Sequence, residues 1–230
     1  MPDWLESPWY ELAARVCQAG LFLGYRLRVE GQRYVPPTGP LLVIANHESF
    51  IDPVAIGCAV LPRHISYLAR KTLFKDPRFA RLLTSVRSVP IDQEGVGKEG
   101  IKSILGQLQA GRAVLVFPEG ERTWDGRMQP FKPGVSLLVK RVQAPILPVG
   151  IAGAYWAWPR TRKLPYLAPW PLMNLPGIAV AIGRPLDPAP YAAMDRDAML
   201  AALFEKVKAQ HDRAERLRAA GTWRRLSRVR

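Results

Sequence analysis

His47 and Asp52 have the residue types and spacing to do chemistry. They lie in Asn46-His47-Glu48-Ser49-Phe50-Ile51-Asp52-Pro53, which leaves the apolar run Leu41–Ala45. If the residues between them turn, the carboxylate folds back onto the imidazole. Orienting one ring nitrogen with a carboxylate raises the basicity of the other, giving a general base that works near neutral pH. This is the His–Asp half of a hydrolase triad. The same spacing suits an aspartate capping a helix and a histidine satisfying a turn. Spacing alone leaves both readings open.

A second polar cluster, Phe117-Pro118-Glu119-Gly120-Glu121-Arg122-Thr123, follows the apolar run Ala113–Phe117. Gly120 permits a close backbone approach, and Arg122 offers a planar fork to a phosphate. A Pro-Glu-Gly turn is commonplace by itself. The informative point is that both clusters leave short continuous apolar runs, the pattern of strands buried on both faces. Ligand and catalytic groups collect at the carboxyl ends of such strands. No serine elbow, P-loop or nucleotide-binding glycine pattern competes. Neither cysteine is placed as an obvious nucleophile, so covalent catalysis has no good candidate.

The elements that must position these clusters alternate. Residues 8–24 read as a helix with Trp9, Leu12, Ala13, Val16, Leu21 and Leu23 mostly on one side. Tyr25–Glu30 alternates apolar and polar, as a strand does. Strands are expected at Leu41–Ala45, Ile65–Ala69, Val86–Ile91, Ala113–Phe117, Ile146–Ile151 and Ile178–Ile182. Helices are expected from about Pro53, over Lys71–Ser85, Lys98–Ala110 and Gly134–Val142, and in a last basic amphipathic stretch, Arg196–Ala220. The pattern predicts an α/β fold: a mostly parallel central sheet flanked by helices, with an N-terminal amphipathic helix and a basic C-terminal helix. The expected organisation is one domain, with a helical segment 1–24, an α/β body 25–190 and a basic helix and tail 191–230.

Composition bounds the function. The chain has 230 residues, 48% of them hydrophobic and 23% charged, which excludes a disordered tail protein, a fibrous repeat or a minimal scaffold. A net charge of +14 points to an anionic partner: nucleic acid, a membrane surface or a phosphorylated substrate. Cys17 and Cys58 cannot build a disulfide framework or a zinc knuckle, so a reducing compartment is the default. Met1–Glu11 carries Asp3, Glu6 and Glu11 and lacks the basic region of a secretory signal. The uncharged windows in Val142–Pro159 and Leu164–Gly183 are broken by prolines, so neither is expected to span a bilayer.

Together, Asn46-His47-x-Ser49-x-x-Asp52 and Phe117-Pro-Glu-Gly-x-Arg122-Thr123 closely resemble the signature of the glycerophospholipid acyltransferase family. Lys71-Thr-Leu-Phe, Val89-Pro-Ile-Asp-Gln and Pro145-Ile-Leu-Pro-Val resemble three further blocks of that family, in the right order over roughly residues 25–185. The resemblance implies that His47 takes a proton from an acceptor hydroxyl while Asp52 holds the ring. The hydroxyl oxygen then attacks the thioester of acyl-CoA or acyl-carrier protein directly. It implies a substrate-binding set of Asn46, Ser49, Lys71, Glu119, Gly120, Arg122 and Thr123, an acceptor such as 1-acylglycerol-3-phosphate, and no metal or cofactor. Two positions depart from the family: Glu121 replaces a small residue, commonly Thr, and Gln93 replaces an arginine. Both leave the acceptor less defined than the chemistry, so a lyso-aminolipid is the alternative.

Residues 206–230 hold nine Lys and Arg against Asp212 and Glu215, with Trp223 among them. An anionic membrane surface suits this segment and a lipid-modifying core, each juxtamembrane cation contributing about 1 kcal/mol. Trp4, Trp9 and Tyr10 suit an interface and equally suit aromatic core packing, and the Pro- and Trp-rich stretch Tyr155–Pro176 reads as an apolar loop that meets lipid or lines an acyl groove. The expected location is peripheral, on the cytoplasmic face of the membrane. A nucleic-acid-binding protein is the rival from another class. It requires aromatics interleaved on a β face or a reading helix, and neither is present, so no nucleic-acid partner is expected. A hydrolase using His47, with no serine elbow, would amount to a thioesterase-like leak.

Overall fold

The apolar runs become the strands of one sheet in the computed structural model, which describes residues 8–91, 98–141, 144–166 and 177–226. Helix α1 (Pro8–Tyr25) is followed by β1 (Arg28–Glu30), β2 (Leu41–Ala45), α2 (Asp52–Ala59) and β3 (Ile65–Arg70). Next come α3 (Pro77–Ser85), β4 (Ser88–Ile91), α4 (Lys98–Gln109), β5 (Ala113–Val116), α5 (Gly134–Arg141) and β6 (Ile146–Ala152). The chain continues through α6 (Ala154–Ala157), β7 (Ala179–Ile182), α7 (Pro188–Ala192) and the long α8 (Arg196–Leu226).

The sheet order is β1-β7-β6-β2-β5-β3-β4. Every pairing is parallel except β6–β7, which is antiparallel. The mostly parallel sheet read from the alternation of strands and helices is therefore present. Strand β2 lies at its centre, between β6 and β5, and all five of its residues are buried. Its alternate side chains serve two cores. Leu41, Val43 and Ala45 pack with Ala55, Ile56 and Ala59 of α2. Leu42 and Ile44 pack with Ile104 of α4, Leu138 of α5 and Leu203 of α8. The sheet is covered on both faces, as continuous apolar strands require.

Local chemistry moves several boundaries. The first helix runs through Tyr25, with Arg26 N–H donating to the Phe22 carbonyl at 2.9 Å. Arg26 then turns left-handed (φ 51°), so the expected strand from Tyr25 shrinks to β1. The Lys71–Ser85 stretch is two elements, a 3₁₀ turn over Lys71–Phe74 and α3. Pro77 has no N–H for a helix interior and instead opens the second one. Asp76 caps it, accepting from Arg78 and Phe79 N–H at 2.8 and 3.0 Å. The short helices α6 and α7 carry no strong periodic pattern and were not expected.

Toward its C-terminal half α8 meets small side chains of β6 and β7. Ala152, Ala179 and Ala181 pack with Ala214 of the helix. Among the described residues no helix is long and apolar enough to cross a membrane. Gln93, Trp4, residues 167–176 of the Pro- and Trp-rich stretch, and Arg228 and Arg230 lie outside the described residues.

Candidate active site

Strands β2 and β5 pair in parallel with Ile44 opposite Val116. His47 and Glu119 each stand three residues beyond that pair, so the two loops leave the same sheet edge side by side. They are tied together there. The His47 N–H donates to Glu119 Oε1 at 2.8 Å, and the Thr123 N–H donates to the His47 carbonyl at 2.9 Å.

The loop after β2 turns as its spacing allowed. Asp52, fully buried in the first turn of α2, brings Oδ2 to 2.8 Å from His47 Nδ1. The same oxygen accepts the Glu48 and Ser49 N–H groups at 2.6 and 2.7 Å. With two N–H donors already on it, Oδ2 acts as an acceptor, and the ring must supply the proton from Nδ1. That leaves the Nε2 lone pair for an incoming hydroxyl. Among the described residues Nε2 takes no hydrogen bond. The ring stacks on Phe117 with centroids 3.8 Å apart. Asp52 thus both starts a helix and orients the histidine.

The electrostatics favour a neutral ring. Burial, then the charges of Arg122 and Arg160, lower His47 from its ordinary 6.5 to about 3. Burial pushes Asp52 upward, while the Ser49 and Glu48 N–H groups and Arg122 favour its anion. Burial also lifts Glu119 to about 7 against the pull of two backbone donors. The ring is therefore unprotonated at neutral pH, but its basicity lies below that of the near-neutral base expected from the His–Asp spacing, because burial and two arginines disfavour the imidazolium.

Beside this pair lies a cationic turn. Arg122 stacks over Phe50, 3.3 Å from the ring centroid. Burial, with Arg160 and Arg70 nearby, lowers it to about 10, so it remains charged at neutral pH. Its buried Nη1 has no hydrogen-bond partner, and an anionic ligand would supply one. Gly120 adopts φ +75°, and a β-carbon there would meet Lys132 Cδ at 2.7 Å. Glycine therefore serves both the turn and the passage of the lysine stem. Glu121, the departure from the family pattern, points at cations: Arg160 at 2.7 Å and Lys132 at 3.7 Å. Arg160 also donates to the Arg122 carbonyl at 3.1 Å and stacks over Trp124.

The other expected site residues fall into two groups. Asn46 spans the Ile151 backbone with both amide atoms, each at 2.9 Å. Ser49 Oγ donates to the Trp158 carbonyl at 2.8 Å. Glu119 accepts from Gln129 N–H as well as His47, and Thr123 Oγ1 donates to Asp125 at 3.0 Å. Asn46 thus ties the loop after β2 to β6, Ser49 ties it to Trp158, Glu119 ties it to the loop after β5, and the Thr123 hydroxyl braces its own turn. Lys71 follows β3 directly, at the sheet edge that also carries the ends of β2 and β5. Arg160, Lys132, Arg70 and the stacked Phe50, Phe117 and Trp124 were missed. Phe50 and Phe117 stand inside the two quoted segments, where no role was read for them; Arg160, Lys132, Arg70 and Trp124 lie in no recognisable spacing, and only the fold brings them to this edge. Among the described residues no group of three or more His, Cys, Asp or Glu could hold a metal ion.

A buried histidine–aspartate pair beside a cationic turn, at the carboxyl ends of a mostly parallel sheet, is an arrangement suited to an α/β transferase or hydrolase. The Acyltransferase family pattern matches residues 26–152, more than half of the chain and all of this site up to Thr123. The protein belongs to that family. It is 26% identical over 198 residues to the 1-acyl-sn-glycerol-3-phosphate acyltransferase of Bacillus subtilis (strain 168), covering 86% of this chain and 92% of the relative. It is 33% identical over 129 residues to 1-acyl-sn-glycerol-3-phosphate acyltransferase alpha of Ovis aries. That match covers 55% of this chain and 45% of the sheep protein, so the chain spans under half of that relative. The crystal structure of the LPA acyltransferase PlsC from Thermotoga maritima superimposes with a TM-score of 0.70 at 24% identity, over 91% of this chain and 78% of that one. The last likeness establishes the fold.

Proposed function

We propose that this protein transfers a fatty acyl group from acyl-CoA or acyl-carrier protein to the free hydroxyl of 1-acylglycerol-3-phosphate, giving phosphatidic acid. The observation that carries the proposal is the pairing of an open Nε2 on His47 with an unfilled Arg122 guanidinium in the neighbouring loop. One can take the hydroxyl proton while the other holds the phosphate of the same acceptor. His47 Nε2 removes the proton as the hydroxyl oxygen attacks the thioester carbonyl. The tetrahedral intermediate collapses, the carbon–sulfur bond breaks, and the imidazolium returns its proton to the departing thiolate. General-base help contributes roughly 10²–10⁴-fold, and holding both substrates together contributes more.

The acceptor class is tested by incubating purified protein with acyl-CoA and a panel of lyso-lipids and identifying the products by mass. Phosphatidic acid should dominate. Glu121 favours one competing reading, since it already neutralises Arg160 and Lys132. An acceptor without a phosphate monoester would need less charge. A lyso-aminolipid outperforming 1-acylglycerol-3-phosphate would make that reading correct.

The protein works on a membrane surface in this reading. Trp9, Leu12, Val16 and Leu23 recur along one exposed side of α1. Next to them α3 exposes Phe79 and Leu82 together with Arg78 and Arg81. A hydrogen bond of 3.1 Å from Trp9 Nε1 to Ser85 Oγ joins the two helices. Apolar side chains rimmed by cations suit the interface of an anionic leaflet, and the cytoplasmic leaflet carries that charge.

A further inference from the structure

Glu48 stands next to His47 in sequence and is 4% exposed, yet no catalytic step uses its carboxylate. Oε2 accepts the Tyr155 N–H at 3.1 Å. Oε1 lies 3.2 Å from Nε2 of His211, 163 residues away on α8. The backbone N–H of the same Glu48 donates to Asp52 Oδ2 at 2.6 Å. Its side chain is therefore gripped by the C-terminal helix and by the exit of β6, while its main chain holds the carboxylate that orients His47.

His211 has little room to move. A β-carbon on Gly150 would stand 2.0 Å from the His211 nitrogen and 2.1 Å from the Gln210 carbonyl carbon. At this point α8 rests on the main chain of β6. The next residue of β6, Ile151, is the one that Asn46 spans. One short piece of strand thus fixes both the root of the catalytic loop and the histidine that holds it.

We propose that His211 is a positioning residue for the His47–Asp52 pair: it holds the Glu48 carboxylate, keeps the Glu48 and Ser49 N–H groups aimed at Asp52 Oδ2, and balances the charge of a second buried acid there. The proposal rests on the reading of His47 as base and Asp52 as its orienting acid. Burial and the Asp52 charge both work against an ionised Glu48, and His211 and the Tyr155 N–H favour it. Burial also opposes a charged His211, but Glu48, Glu215 and Asp212 outweigh it and raise its pKa. Removing one partner of such a pair leaves an uncompensated buried charge beside the base.

The test uses His211→Gln, Glu48→Gln and the double variant of the full chain, with acyl-CoA and 1-acylglycerol-3-phosphate as substrates. His47→Ala and Arg213→Ala serve as references. His211→Gln keeps a donor for Glu48 but removes the positive charge. Its kcat should fall roughly 10- to 100-fold, with both KM values within about twofold. Glu48→Gln removes the charge that balances the His211 imidazolium and, with its oxygen on the Tyr155 N–H, turns an NH₂ toward a ring that must give up its Nε2 proton to accept it, so kcat should fall. If His211→Gln does not fold, this variant carries the test. In the double variant the amide oxygen introduced at position 48 accepts from Tyr155, and its NH₂ donates to the amide oxygen introduced at position 211. There kcat should return to within a few-fold of wild type. Arg213→Ala breaks another tether of α8, its pair with Glu30, and should leave kcat unchanged. Wild-type kcat in both single variants, with His47→Ala inactive, overturns the proposal. So does a double variant no better than either single, because that outcome marks a packing role. Turnover surviving in His47→Ala would instead overturn the base reading beneath it.

Discussion

At the scale of single residues, proton affinity separates His47 from His211. Burial and two arginines hold His47 far below its ordinary value, while Glu48 and its neighbours hold His211 above it. In an NMR titration the His47 ring signals should stay those of neutral imidazole below pH 6, and the His211 midpoint should lie above that of a free histidine. Arg122→Gln should move the His47 midpoint upward, because a positive charge that disfavours imidazolium is gone. Replacing the base itself should cost more: His47→Ala should lower kcat by at least about 10²-fold, and Asp52→Asn should do similar damage through a misoriented ring. Arg122→Ala should raise the acceptor KM about tenfold or more, from the loss of a charge-assisted hydrogen bond of roughly 1.5–3 kcal/mol. The KM for acyl-CoA should change far less. Equal losses for both substrates would place the guanidinium in a structural role instead.

At the scale of elements, the glycine beneath α8 is the sharpest test of how the site is held. Gly150→Ala forces a methyl group into the backbone of the helix, so α8 must lift or shift. Overpacking of this kind typically costs about 1–3 kcal/mol. The melting temperature should drop, and kcat should fall with it because His211 rides on that helix. The sequence revealed some of this architecture and concealed the rest. β2, β5 and β6 were legible because strands buried on both faces must be continuously apolar, and their side chains say so. The turn that returns Asp52 to His47 was open to a local spacing, which left helix cap and orienting acid equally possible, and the turn at Gly120 stood out only beside the family resemblance. The break at Asp76-Pro77 was also local, but helical periodicity across it masked a cap that the residue types support. The antiparallel pairing of β7 left no trace, since Ala179–Ile182 has the same composition whichever way it runs. Glu48 and His211 offered no signal either: a buried pair separated by 163 residues becomes visible only when α8 is laid on the sheet.

For the whole molecule, charge connects stability, solubility and location. The formal charge of +14 and the apolar side of α1 predict binding to vesicles that contain anionic phospholipid. Flotation should show binding that weakens as salt rises past the ~10 Å screening regime of 0.1 M. Undiminished binding to neutral vesicles at high salt would leave apolar insertion as the sole attachment. Acid stability follows from the site. The unfolded chain protonates His47 near 6.5, whereas the folded protein resists protonation down to about 3. Between those values the unfolded state binds the extra His47 proton, so the contribution of this one group to stability falls as pH falls, while the raised Asp52 and Glu119 act in the opposite direction. His47→Gln removes that contribution. Between pH 6.5 and 5 its urea midpoint should fall less than that of the wild type.

The shared offset of His47 and Glu119 from the Ile44–Val116 pair has a consequence for transplanting the site. Each loop is cut to length for the other, because the His47 N–H must meet Glu119 just where Thr123 meets the His47 carbonyl. Segments 46–52 and 117–123 therefore behave as two halves of one interchangeable part. Exchanged together with a family member's equivalents, they should carry a new acceptor preference into this sheet. Lengthened by one residue on either side, they should lose both bonds and, with them, acyl transfer.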